Sequence, residues 1–115
     1  MSQTKRFCFS CDLKDNPELI AEYKRYQSRN KIWPEITKSI KDAGIIDMQI
    51  YLTGNRMFMI MEVDDSFNPE KKAENDAKNP KVQEWEQLMW KYQQALPWAK
   101  EGEKWVEMEK IFQLA

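Results

Sequence analysis

The chain has 115 residues, with 18 Lys and Arg against 19 Asp and Glu, a formal net charge of −1 and no histidine. This length predicts a single domain covering residues 1–115. The basic residues are scattered, which argues against a nucleic-acid partner. The longest apolar run, Met57 to Met61, is too short for a membrane span, and the opening MSQTKRF lacks the apolar region of a secretory signal.

The first predicted element is a strand in which Phe7, Phe9, Cys11 and Leu13 alternate with more polar residues. Cys8 and Cys11 lie three apart in this strand and therefore point to opposite faces. They cannot easily bridge or chelate together, and without histidine a zinc site lacks its usual ligands. We expect two unpaired thiols, no metal, and a cytoplasmic protein.

Two helices are predicted to follow this strand. Asn16 can cap the first helix and Pro17 suits its first position, and the helical spacing of apolar residues continues to about Ser28. Pro34 opens the second helix, and Gly44 supplies its stop. The inward residues of the two helices are predicted to be Leu19, Ile20, Tyr23, Tyr26 or Gln27 in the first, and Trp33, Ile36, Ile40 and Ala43 in the second.

A tight hairpin is predicted where Gly54-Asn55 joins the segments 46–53 and 56–63. A two-residue turn fixes the register, so that opposite residues have numbers that sum to 109. One face is then wholly apolar, with the pairs Leu52–Met57, Ile50–Met59, Met48–Met61 and Ile46–Val63. The other face is mixed, with the pairs Tyr51–Phe58, Gln49–Ile60 and Asp47–Glu62, and such a face often meets a partner subunit.

The remaining segments complete the predicted order. Asn68-Pro69 begins a short polar helix and Asn79-Pro80 a stronger one, whose apolar stripe includes Trp85. Residues 95–103 are predicted to form a loop, and Lys104 to Leu114 a final strand. This order predicts an α+β fold of the ferredoxin-like split βαβ type, an antiparallel sheet with helices on one face. Stacking two free sheet faces would give a dimeric α/β barrel, a homodimer formed through the sheet.

Three segments, EYKRYQSRNKIWPEI (22–36), YLTGNRMFMIMEVDD (51–65) and PKVQEWEQLMWKY (80–92), resemble the L-rhamnose mutarotase family. The resemblance implies a dimeric α/β barrel that interconverts the anomers of a free sugar. Mutarotation protonates the ring oxygen and removes the proton of the anomeric hydroxyl, so the ring opens, rotates and closes without cofactor or metal. The resemblance thus implies a small monosaccharide as the substrate.

Five residues are candidates for the site. Tyr23 and Gln27 share one helical face at i, i+4, and Met48 and Trp85 should point into the space between helices and sheet. By resemblance, Tyr23 and Trp85 match ligand-contacting residues of the family, Met48 a sheet tyrosine, Glu86 a second tryptophan and Gln27 the catalytic histidine. From spacing alone, the favoured interpretation is that Tyr23, Met48 and Trp85 are core residues and that Glu86 is a solvated surface glutamate.

Gln27 is the decisive position, because an amide can hold a sugar hydroxyl but does not titrate. Either another acid such as Glu86 or the Tyr23 phenol replaces the histidine, or activity is weak, or the pocket only binds sugar. The favoured function is an aldose mutarotase acting on L-rhamnose or a related 6-deoxysugar such as L-fucose. The alternative is a catalytically inactive sugar-binding or regulatory dimer. A weaker alternative, by fold analogy alone, is a cofactor-free monooxygenase or small-molecule binder.

Overall fold

Helices and strands alternate along the described chain much as the sequence pattern predicts. The computed structural model describes residues 4–28 and 31–115. Residues 1–3 and 29–30, which belong to the opening segment and to the 22–36 motif, lie outside the described residues. The elements are β1 (Lys5–Leu13), α1 (Pro17–Tyr26), α2 (Pro34–Asp42), β2 (Ile45–Thr53), β3 (Arg56–Val63), α3 (Pro69–Lys78), α4 (Pro80–Trp90), β4 (Gln93–Gln94) and β5 (Val106–Glu107).

Three of the helices begin with the same local signal, an asparagine cap followed by proline. The side chains of Asn16, Asn68 and Asn79 each accept hydrogen bonds from two backbone N–H groups of the first turn. These bonds satisfy donors that the helix itself leaves unpaired, and proline occupies a position whose missing N–H costs nothing. The predicted caps are confirmed. The predicted stop at Gly44 is also confirmed, since its φ of +91° suits glycine.

The sheet is antiparallel with the order β2-β3-β1-β4, and β5 also pairs with β1. Gly54 has a φ of +57° and Asn55 a negative φ, the sign pattern of a type II′ turn. The predicted register is confirmed at the pairs Leu52–Met57, Ile50–Met59 and Met48–Met61, and on the mixed face at Tyr51–Phe58, Gln49–Ile60 and Asp47–Glu62.

The predicted pair Ile46–Val63 is wrong. Ile45 lies opposite Val63, and the register shifts between Ile45 and Asp47. One extra residue on β2 forms a β-bulge, which bends the strand and turns the next side chain away. Ile45 is therefore buried, whereas Ile46 is exposed.

The predicted final strand over 104–114 is also wrong for most of its length. Only Val106–Glu107 forms a strand, paired with Ser10 and Phe9 of β1, and the N–H of Met108 still bonds to Cys8 O at 2.7 Å. Beyond Met108 the segment forms no further strand among residues 4–28 and 31–115. The edge next to it instead contains β4, which the sequence pattern did not predict.

The helices cover one face of the sheet, as the predicted fold class requires. The main buried cluster joins Cys11, Leu13 and Met57 of the sheet to Tyr23, Trp85 and other residues of α1, α2 and α4. A smaller cluster forms around Ile45, Met61 and Val63. The protein is thus α+β, with an antiparallel sheet in the split βαβ order. The stacking of two sheets into a dimeric barrel stays a prediction.

Candidate functional site: a cavity between helices and sheet

A cavity of about 540 Å³ lies between the helix layer and the sheet. Its wall contains all five of the residues that the sequence suggested for the site: Tyr23 and Gln27 from α1, Met48 from β2, and Trp85 and Glu86 from α4. The cavity is thus large enough to hold a small organic molecule. The structure brings the five residues together, and their roles in binding or catalysis stay predictions.

Tyr23 and Gln27 reach the cavity because α1 is fixed at its start and ends at the site. Capping by Asn16 sets the beginning of the helix, and the i, i+4 spacing places both side chains on one face. Gln27 closes the helix, with its N–H bonded to Tyr23 O at 3.2 Å. Its side-chain Nε2 lies 3.5 Å from Met89 Sδ, a weak acceptor, so the amide is available for stronger partners.

Trp85 forms an aromatic wall held by neighbouring rings. Its ring centroid lies 5.1 Å from that of Trp33 and 6.2 Å from that of Tyr26, both in edge-to-face geometry. Such contacts fix the orientation of the indole. Trp85 is 8 % exposed, so it belongs to the core and also faces the cavity. A fixed indole face suits the apolar C–H surface of a ring-shaped ligand.

The hydroxyl of Tyr23 lies in a buried setting and accepts a hydrogen bond from Gln93 Nε2 at 3.2 Å. Burial raises the pKa of Tyr23 to about 12, an effect that the bond from Gln93 partly offsets. The phenol is therefore protonated near neutral pH and can donate a hydrogen bond to a ligand. Gln93 was missed at the sequence level because it lies in the short strand β4.

Charged residues that the sequence pattern did not suggest also line the cavity. Lys104 enters from the segment after the 95–103 loop, with Nζ 3.4 Å from the backbone oxygen of Glu86 and 4.9 Å from the ring centre of Trp90. Burial lowers the pKa of Lys104, and the nearby Glu86 opposes this shift. Because Lys104 follows a loop, no periodicity could have pointed to it.

A second charged pair reaches the cavity from α3. Lys72 and Asp76 form an ion pair, and both side chains are mostly buried. Their i, i+4 spacing after the Asn68 cap is the one sequence signal that could have found them. The cavity thus has an apolar interior, two amides, one phenol and four charged groups, which suits a small polar ligand with one apolar surface.

The described residues hold neither a metal-binding cluster nor a membrane-spanning helix. Cys8 and Cys11 are free thiols, and within 4–28 and 31–115 no three His, Cys, Asp or Glu side chains cluster closely enough to hold a metal ion. Burial raises the pKa of the Cys11 thiol to about 11. None of the described helices has the length and hydrophobicity that crossing a membrane requires.

Comparisons with known proteins define the class to which this fold and cavity belong. The profile of the L-rhamnose mutarotase family matches residues 6–114. An L-fucose mutarotase of Xanthomonas campestris pv. campestris is 42 % identical over 111 residues, covering 96 % of this chain and 89 % of the relative. A UPF0734 protein of Dictyostelium discoideum is 33 % identical over 114 residues, covering 96 % and 90 %.

A solved structure supports the fold independently. The crystal structure of an L-rhamnose mutarotase from Formosa agariphila superposes with a TM-score of 0.69 at 22 % identity, covering 96 % of this chain and 99 % of the other. At that identity the likeness speaks for the fold alone. Together with the family match, these relatives show that the chain belongs to the L-rhamnose mutarotase family.

Proposed function

We propose that this protein is an aldose mutarotase that interconverts the α and β anomers of L-rhamnose or a related 6-deoxysugar such as L-fucose. The observation that carries the proposal is one cavity with Tyr23, Gln27, Met48, Trp85 and Glu86 in its wall. The 42 % identical relative is named for activity on L-fucose, which supports a deoxysugar as the substrate class. A cytoplasmic location and a single domain over residues 1–115 stay predictions.

In the proposed mechanism the sugar lies with its C–H face against Trp85, and Gln27 and Tyr23 hydrogen-bond its hydroxyls. The carboxylate of Glu86 takes the proton of the anomeric hydroxyl while the ammonium of Lys104 gives a proton to the ring oxygen. The bond between the ring oxygen and the anomeric carbon then breaks, leaving an open-chain aldehyde. Rotation about the neighbouring C–C bond and reversal of both proton transfers close the ring as the other anomer.

Lys104 is a better proton donor than Tyr23 for this step. Burial lowers the pKa of Lys104 toward neutrality but raises that of Tyr23 to about 12. A group whose pKa lies closer to the working pH transfers its proton more readily in the transition state. The ammonium and carboxylate would thus do what one histidine does in the family pattern, and the reaction needs no cofactor.

The second candidate is a catalytically inactive sugar-binding or regulatory dimer. It is favoured by one observation, the presence at position 27 of an amide that cannot exchange protons. An amide still binds hydroxyl groups as donor and acceptor. In that case the cavity would keep its affinity for the sugar and lose the rate enhancement.

We also propose that two copies associate through the sheet face that the helices leave open. Phe58, Ile60 and the 55 % exposed Tyr51 lie on this face. The C-terminal segment adds Ile111, Phe112 and Leu114, each at least 76 % exposed. Exposed apolar side chains of this kind commonly mark an interface, and burying them against a second copy would remove them from water.

The function is tested by saturation-transfer NMR, which measures anomer exchange of L-rhamnose and L-fucose with and without the protein. We expect faster exchange than in buffer for at least one of them. Trp85→Phe should slow this exchange roughly tenfold or more, because the altered wall misplaces the sugar. Trp98→Phe is the matched control, since Trp98 is 62 % exposed and does not line the cavity.

Calorimetry with the same sugars separates the two candidates. Binding without accelerated exchange would establish the inactive sugar-binding protein in place of the enzyme. Neither binding nor exchange with any aldose would overturn both.

A further inference from the structure

Gln93 lies where the short strand β4 meets the cavity. It pairs with Leu13 of β1, while the next residue, Gln94, pairs with Asp12. Successive strand residues point to opposite faces, so Gln93 faces the helices and Gln94 the open side of the sheet. Gln93 is 3 % exposed and forms part of the cavity wall. A polar side chain is thus held at the inner surface of the proposed sugar site.

The hydrogen bonds of this side chain are incomplete. Nε2 donates to the Tyr23 hydroxyl at 3.2 Å, but Oε1 is buried and has no donor within reach among residues 4–28 and 31–115. Buried polar atoms in native proteins almost always have a partner, so an acceptor without one, on a residue of the cavity wall, needs an explanation. A ligand hydroxyl that enters the cavity beside Gln93 would supply the missing bond once the amide rotates enough to expose Oε1.

The type of ligand follows from the chemistry of the pair. Gln93 offers a neutral acceptor, and beside it Tyr23, which accepts from Gln93, keeps its own proton free to donate. Neutral donor and acceptor groups side by side match neighbouring hydroxyls on a sugar ring, each of which can donate and accept.

We propose that Gln93 is a specificity-determining residue, whose Oε1 accepts a hydrogen bond from one hydroxyl of the bound monosaccharide while Nε2 holds the Tyr23 hydroxyl in place. This inference rests on the proposed function, because it assumes that the cavity binds a sugar. In this role Gln93 selects sugars that carry a hydroxyl at one ring position in the correct orientation. A site built around a polar partner rejects analogues that lack the matching group.

The test combines Gln93→Met, which keeps the approximate length of the side chain without its amide, with monodeoxy derivatives of the sugar that binds wild type. Calorimetry gives the dissociation constant for each pair of protein and sugar. We expect Gln93→Met to weaken binding of the parent sugar roughly 10–100-fold. We also expect one monodeoxy sugar to bind wild type about as weakly as the parent sugar binds Gln93→Met. The affinity for that monodeoxy sugar should be the same in wild type and in the variant. Such non-additivity identifies a direct contact.

Controls separate recognition from folding. Gln93→Met removes a buried orphan oxygen, so its melting temperature should not fall by more than a few degrees. Gln94→Met, on the opposite face, should leave affinity unchanged. If Gln93→Met does not fold, Gln93→Asn is measured instead. Its shorter side chain moves the amide oxygen away from the ligand, so its sugar affinity should depend on the same single hydroxyl.

The inference is overturned if Gln93→Met binds the parent sugar as tightly as wild type does, or if it weakens every monodeoxy derivative by the same factor. In both cases wild type still binds sugar and the proposed function stands. If wild type binds no aldose, the proposed function and this inference both fall.

Discussion

The two faces of the sheet are built from the same strands and have different environments. On the helix side Met57, Met59, Met61 and Val63 of β3 are all buried, whereas Phe58 and Ile60 between them are only half-buried. The open side also carries ion pairs, Arg6–Glu62 and Arg56–Asp12, both at 2.8 Å. Alternation along a strand thus assigns one face to the chain's own helices and leaves the other to water or a second copy.

The difference between the faces also decides where chemistry can occur. The helices cover their face of the sheet without filling the space beneath them. Tyr23, Gln27, Glu86 and Lys104 line this cavity among apolar side chains. Low polarity strengthens hydrogen bonds and alters pKa values there. Substitutions on the covered face should therefore change catalysis or stability, and substitutions on the open face should change association.

The largest expected effect comes from Gln27→His. A positioned acid-base group typically contributes ~10²–10⁴ in rate, and an imidazole titrates nearer neutral pH than an ammonium, so this substitution should accelerate anomer exchange, by up to that range, beyond the rate that Glu86 and Lys104 supply. Saturation-transfer NMR measures the change. The matched control is Gln49→His on the open face, which should leave the rate as it is. An unchanged rate for Gln27→His would contradict this expectation and show that Glu86 and Lys104 transfer both protons as fast as an imidazole could.

A large change in stability is expected from Met57→Ala. Met57 is 1 % exposed and packs in the main core cluster, so its truncation should lower the free energy of unfolding by about 2–5 kcal/mol. Urea unfolding followed by circular dichroism measures the loss. Gln49→Ala on the exposed side of β2 should stay within about 0.5 kcal/mol of wild type. Equal losses in the two variants would contradict the assignment of the faces.

Alkaline pH should destabilise the protein through the covered face. Tyr23 has a pKa of about 12 in the folded protein against its ordinary 10.0. The stability it contributes is thus complete below pH 10 and is lost as the pH rises toward 12, a difference of about 2–3 kcal/mol. Urea unfolding at about pH 9 and about pH 11.5 should show a smaller loss in Tyr23→Phe than in wild type. Tyr51→Phe on the open face is the control, and it should lose as much unfolding free energy between these pH values as wild type does.

The smallest expected effect concerns association. Ile60→Glu places a charge at the centre of the open face, and two copies facing each other would bring two such charges together. The dimer dissociation constant should rise by about tenfold or more, with anomer exchange per folded chain little changed. Sedimentation velocity over a range of concentrations measures this. A wild-type chain that stays monomeric throughout would remove the proposed interface.

Where the sequence predicted structure correctly, the cause was local. Asn16 marks the start of a helix through its side chain, and Gly44 marks the end of one through its backbone freedom. Gly54-Asn55 fixes the hairpin register because a two-residue turn determines which residues of the two strands lie opposite each other. The i, i+4 spacing of Tyr23 and Gln27 likewise follows from helix geometry alone. The sequence by itself therefore determined the helices α1 to α4, the strands β1 to β3, the apolar face and five of the residues around the cavity.

The remaining features depend on contacts between distant segments. The bulge at Ile46 lies where β2 follows α2 and pairs with β3, and the strand predicted over 104–114 pairs with β1 only at Val106 and Glu107. Lys104 and Gln93 join the cavity wall only because β1 pairs with both β4 and β5. Only the tertiary structure decided these positions, because the hydrogen bonds that fix them come from residues far away in the chain.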